Sequence, residues 1–102
     1  MAGYAIGDVE VLDEAGYGEY RRRFDAILES FGGRLLVNGG RTEAMEGNWI
    51  PPRLVILEFP STERARAWLT SPEYAEIAPI RHRNARTHFL TIVEGWDEQS
   101  AT

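Results

Sequence analysis

The sequence predicts an α+β fold of the ferredoxin-like kind, ordered β-α-β-β-α-β around a four-stranded antiparallel sheet. Three observations carry that expectation. Four short segments alternate or run apolar over strand length. The stretches between the first and second and between the third and fourth repeat apolar residues at helical spacing. Paired glycines and prolines punctuate the joins. At 102 residues one domain is expected, 1–96, followed by a polar tail, 97–102.

Tyr4 to Leu12 alternates, with Tyr4, Ile6, Asp8 and Glu10 on one face and Ala5, Gly7, Val9 and Val11 on the other. The small apolar side is expected to lie under helices. Asp13 is a candidate N-cap for the first helix, in which Tyr17, Tyr20, Phe24, Ile27, Leu28 and Phe31 share a face. The Arg21–Arg23 triplet spreads around that helix and reads as a solvated face. Gly32 stands where a left-handed C-cap falls.

Two glycine pairs then bracket the second strand in GGRLLVNGG, 32–40. Arg34, Leu36 and Asn38 are expected on one face, Leu35 and Val37 on the other. These glycines lack the strand–GxGxxG–helix context of a dinucleotide site, so their reading is structural. Residues 42–49 read as a continuation of the strand and a hairpin tip, and Pro51-Pro52 as a stiff link. Arg53 to Phe59 is a third strand, apolar enough to be central. Ser61 and Ser71 read as successive N-caps, the second followed by Pro72 and Glu73. Pro79 should interrupt that second helical region. Arg86 to Glu94 is the fourth strand, with His88, Leu90, Ile92 and Glu94 on one face.

Two helices can cover only one face of a four-stranded sheet, which leaves the other open. On this register that face carries Ile6, Leu36, Leu54, Ile56, Leu90 and Ile92. An apolar face of this size is expected to be covered by a second copy of the chain.

Composition removes several chemistries. There is no Cys, and all eleven basic residues are Arg. Thiolate nucleophiles, iron–sulfur ligation, lysine Schiff bases and a Walker lysine are therefore excluded. His82 and His88 stand in no metal-binding spacing, so no metal and no cofactor are expected. A net charge of −5 argues against nucleic acid and anionic membranes as partners. No apolar run reaches the ~20 residues of a spanning helix, and the N-terminus has no basic region of a secretory signal. A cytoplasmic location is the expectation.

Asp8, Arg34, Asn38, Glu58 and His88 share a strand parity and are expected to converge as a polar, ligand-binding cluster. His88 is the candidate proton-transfer group, since its ordinary pKa lies near neutrality. The competing reading of the cluster is internal pairing, with Arg34 bound to Asp8 or Glu58. His82, among Arg81, Arg83 and Arg86, is expected to be exposed. Tyr17 and Tyr20 can present hydroxyls to a pocket between helix and sheet, but core packing with wet tips is the stronger reading, and Trp68 and Tyr74 read as core.

Several stretches taken together resemble domain-of-unknown-function family 1330. They are Tyr17-x-x-Tyr20, GGR at 32–34, Gly39-Gly40, EG at 46–47, EFP at 58–60, Ala65-x-x-Trp68, SPEY at 71–74, Arg81 and VEG at 93–95. The resemblance spans Tyr4 to about Gly95. It implies a dimeric α/β barrel in which two ferredoxin-like sheets pack face to face. Wider dimeric-barrel relatives include cofactor-free monooxygenases, haem-handling enzymes and small-molecule isomerases, an analogy at the level of fold. Arg81 matches a recurrent position of the family. It can hold the carboxylate or phosphate of an organic anion, or tie the second helical region to the hairpin or the partner chain.

Two functional readings follow. One is a homodimer that binds a small organic molecule and acts as a cofactor-independent enzyme. The other is a non-catalytic dimerisation or accessory module, favoured by the thin inventory of nucleophiles. A haem protein with His88 as axial ligand is a poorer third.

Overall fold

The alternating and helix-period segments become seven elements in the computed structural model, which describes residues 1–96. They are β1 (Gly3–Val11), α1 (Glu14–Ser30), β2 (Arg34–Asn38), β3 (Leu54–Phe59), α2 (Thr62–Leu69), α3 (Pro72–Asn84) and β4 (Ala85–Glu94). The expected tail, 97–102, lies outside the described residues. All pairings are antiparallel and the strand order is β2-β3-β1-β4. This is the ferredoxin-like arrangement, with its second crossover made of two helices.

Local chemistry sets the ends of the helices. Asp13, Ser61 and Ser71 each accept a backbone N–H three residues on, and so begin α1, α2 and α3. At the far end of α1, Gly32 takes φ +75°, and the N–H groups of Gly32 and Gly33 bond Glu29 and Leu28 carbonyls. That left-handed closure turns the chain straight into β2. Pro79 does not interrupt α3, contrary to expectation. The helix runs through it to Asn84 because Ile77, Ile80 and Arg81 bury one continuous face. The ring of Pro79 faces outward, and the helix forgoes one backbone bond there.

The helices cover one sheet face. Ala5, Val9, Leu57 and Phe59 form its buried floor, and Tyr17, Tyr20, Leu28, Ala65, Trp68, Tyr74 and Ile77 pack on it. The packing is largely aromatic: Trp68 lies 4.5 Å from Tyr74 and 5.5 Å from Phe59 between ring centroids. Tyr20 sits between Tyr17 at 4.9 Å and Phe24 at 5.5 Å.

Three expectations about the sheet need correction. Residues 42–49 are not strand. Gly39 adopts φ +67° and its N–H closes onto Leu54 O, which ends the ladder at Asn38. A register shift between Leu35 and Val37 pairs Val37 with Ile56 and Asn38 with Val55. One extra residue therefore turns Asn38 onto the helix side, away from Arg34. A second shift, opposite Asp8 and Val9, falls in β4 at His88. Beyond it Leu90 pairs with Gly7 and Ile92 with Ala5, so both lie on the helix side. The open face instead carries Ile6, Leu54, Ile56, Phe89, Thr91 and Val93.

Candidate functional site

Small residues in β1 make room for a site. Ala5 and Gly7 lie beneath the aromatic face of α1 and fill little of the space between sheet and helices. A cavity of about 210 Å³ remains there. Tyr17, Tyr20 and Phe24 form its α1 wall, and Trp68, Tyr74 and Arg81 form the wall from α2 and α3. Leu35, Asn38, Val55, Leu57 and Leu90 complete it from the strands, and Arg53 joins from the chain entering β3. Its exposed lining residues, Arg21, Asp25, Leu35 and Asn38, stand along α1 and β2, where it meets solvent.

Arg81 sets the electrostatics. It is 6% exposed and makes no ion pair among the described residues. Its Nε donates to the Tyr74 hydroxyl at 3.1 Å, Nη1 donates to Thr87 Oγ1, and Nη2 meets His82 Nε2 at 3.1 Å. All three partners are polar and none is a carboxylate. The Tyr74 hydroxyl also meets that of Tyr20 at 2.7 Å. Burial pushes the Tyr20 phenol far above its ordinary pKa, so it stays neutral and cannot balance the charge. Burial likewise raises Tyr17, against the opposing pull of Arg53. Among the described residues the buried Trp68 indole N–H has no acceptor.

Arg53 is the second cation of the wall. It donates to Asn38 Oδ1 at 2.6 Å, and its guanidinium lies 5.7 Å from the Tyr17 ring centroid. Arg21, also over Tyr17, is already paired with Glu14 at 2.6 Å.

The six residues expected at a site are dispersed. Arg34 pairs with Glu58 at 2.6 Å and Tyr4 donates to the same carboxylate at 3.2 Å, at one end of the open face. Asp8 is buried, and its carboxylate accepts the Arg53 backbone N–H at 3.1 Å. His88 hydrogen-bonds Glu10 at 2.8 Å on the exposed edge strand, with Arg86 4.0 Å from that carboxylate. Asp8, Arg34, Glu58 and His88 therefore do not converge. Asn38 and Arg81 do line one cavity, with the sheet between them and the Arg34–Glu58 pair. His82 is exposed but touches Arg81. Nothing in the sequence singles out Arg53, and Tyr17, Tyr20, Trp68 and Tyr74 read first as core, with a pocket the weaker alternative for Tyr17 and Tyr20. One signal was available: Tyr74, Ile77 and Arg81 stand at i, i+3 and i+7, so the arginine shares the buried face of α3.

Among the described residues no group of three or more His, Asp or Glu could hold a metal ion. No helix there is long and apolar enough to cross a membrane.

The Domain of unknown function (DUF1330) family matches residues 2–96. The chain belongs to this family. No curated protein sequence matches it. Among solved structures, this DUF1330 chain is similar to a protein of unknown function from Rhodopseudomonas palustris. The TM-score is 0.69 at 17% identity, over 94% of this chain and 83% of that one. A protein from Mycobacterium tuberculosis gives 0.56 at 15%, over 96% and 98%. A putative antibiotic biosynthesis monooxygenase from Nitrosomonas europaea gives 0.54 at 11%, over 95% and 92%. At these identities the likeness is one of fold.

Proposed function

We propose that this DUF1330 chain binds a small, mainly apolar organic anion in the cavity between sheet and helices. We further propose that two copies pair through their open sheet faces. The observation that carries the first reading is Arg81: a buried cation, on the wall of an aromatic cavity, with no carboxylate paired to it among the described residues. A buried charge without a counter-ion is costly, and an anionic ligand supplies the missing partner. Tyr17, Tyr20, Phe24 and Trp68 offer flat apolar contact for the rest of the molecule. Arg53 and Asn38 offer a second polar contact on the strand side of the wall.

The pairing reading rests on Ile6, Ile56 and Val93, which none of the described helices covers. The fold likeness to the putative antibiotic biosynthesis monooxygenase from Nitrosomonas europaea is compatible with a cofactor-independent enzyme. That activity would need a ligand held as described.

A thermal-shift screen of aromatic carboxylates, phenols and neutral aromatics on wild type and Arg81→Met tests the binding reading. Acidic compounds should raise the wild-type melting temperature, and Arg81→Met should weaken them at least about tenfold while keeping the fold. A compound bound and then consumed makes the protein an enzyme, and one returned unchanged makes it a binding protein. Acidic compounds that stabilise both proteins equally would contradict the role given to Arg81. No hit at millimolar ligand would favour the non-catalytic dimerisation module.

A further inference from the structure

We infer that Trp68 is a ligand-binding residue, and that the polar end of its ligand accepts hydrogen bonds and gives none. The inference rests on the proposed binding reading and deepens it. Behind it stands a buried N–H with no acceptor, in a cavity whose polar wall is rich in unused donors.

Trp68 is 2% exposed and lines the cavity. Its indole N–H can only donate. Among the described residues nothing accepts it. Three rings surround the indole: Tyr74 at 4.5 Å, Phe59 at 5.5 Å and Phe24 at 6.1 Å between centroids. Ring faces are weak acceptors at best. Packing gives no reason for the N–H, since a phenyl ring would bury the same kind of surface without an orphaned donor. An acceptor that arrives from the cavity explains a buried donor in that state.

The neighbours are donors too. Arg81 has five N–H hydrogens and gives three of them, to Tyr74, Thr87 and His82. The Tyr20 and Tyr74 hydroxyls are 2.7 Å apart, so only one of their two hydrogens lies between them. Among the described residues the remaining hydrogens have no acceptor. Tyr74 touches both Trp68 and Arg81, so these donors belong to one end of the cavity. The acceptors of the lining stand elsewhere. Asp25 is exposed at the mouth, and Asn38 Oδ1 already takes Arg53.

A group seated at that end meets hydrogens from several sides. A carboxylate, an enolate or a ketone takes them, through one oxygen or two. An amide or an alcohol brings a hydrogen of its own to a wall where acceptors are scarce, and loses that bond on leaving water. Arg81 thus selects for charge, and Trp68 selects acceptors over donors.

The test uses four probes of similar shape: benzoate, acetophenone, benzamide and toluene. Each is titrated into the intact protein, and the indole N–H signals are followed by proton NMR. The chain has three tryptophans, and Trp49→Phe and Trp96→Phe, both at exposed positions, leave the Trp68 signal assigned. We expect benzoate and acetophenone to move that signal downfield, and toluene, which has a ring but no acceptor, not to do so. Benzamide should bind at least about tenfold more weakly than benzoate, and more weakly than acetophenone. Trp68→Phe should weaken benzoate at least about fivefold while toluene binding is kept, which shows the cavity intact. If that variant does not fold, the wild-type signal decides alone. A signal that stays in place while benzoate binds, in a manner lost in Arg81→Met, would overturn the role of Trp68 and leave the anion reading standing. Benzamide binding as tightly as acetophenone would overturn the selection for acceptors. Failure of all four probes to bind would overturn this inference and the cavity reading together.

Discussion

Arg34 and Glu58 stand opposite each other on β2 and β3, and the pair makes a prediction at the scale of single residues. The hydrogen bond from Arg34, with a smaller one from Tyr4, holds the Glu58 carboxyl below its ordinary pKa. A carboxylate depressed in the folded state stabilises the protein above its unfolded pKa. That contribution fades as the pH falls through the folded value. The melting-temperature gap between wild type and Arg34→Met should therefore be constant above about pH 6 and close below about pH 4. It should be small, because Arg34 is exposed. A gap that widens in acid would contradict the pairing. This pair was legible in the sequence as one of two partners for Arg34, since facing strand positions of opposite charge attract. The cavity residues were less legible. Tyr20, Trp68 and Tyr74 have the spacing of core aromatics, and nothing in spacing alone distinguishes a filled core from one left hollow by Ala5 and Gly7.

The elements were legible wherever a cap or a periodicity fixed them. Ser71 is the clearest case. Its hydroxyl accepts the Tyr74 N–H at 3.0 Å and donates to Trp68 O at 2.8 Å, so it begins α3 and satisfies the end of α2 together. Ser71→Ala should cost about 1–2 kcal/mol in chemical denaturation. A loss under 0.3 kcal/mol, by the same measure of about one cap, would contradict the double role. What the sequence did not disclose were the two register shifts. Strand parity has a period of two, so a single unpaired residue reverses every side chain beyond it. At Leu36 this carried Asn38 into the cavity. At His88 it exchanged Leu90 and Ile92 for Phe89, Thr91 and Val93 on the open face. Neither shift is marked by Gly or Pro at its own position, so alternation offered no warning. Pro79 is the opposite case, a strong local signal overruled by the buried face on which it rides.

For the molecule as a whole, the two faces of one sheet have different tasks. The helix side holds the cavity, and the open side is the proposed meeting surface of two copies. Ile56 lies near the middle of that open side, paired with Ile6 on β1. Ile56→Glu should convert a dimer to monomer or aggregate in light scattering, since a stable interface of about 1,600 Å² cannot absorb an unpaired charge at its centre. An unchanged dimer mass would remove that face from the account. The central claim concerns the other face, and a crystal structure of the protein with benzoate tests it most directly. The account predicts the ring against Tyr17 and Tyr20, with the carboxylate within hydrogen-bond distance of the Arg81 guanidinium or the Trp68 indole N–H. A cavity holding only water, with the probe instead beside Arg34 and Glu58 or beside His88, would contradict it.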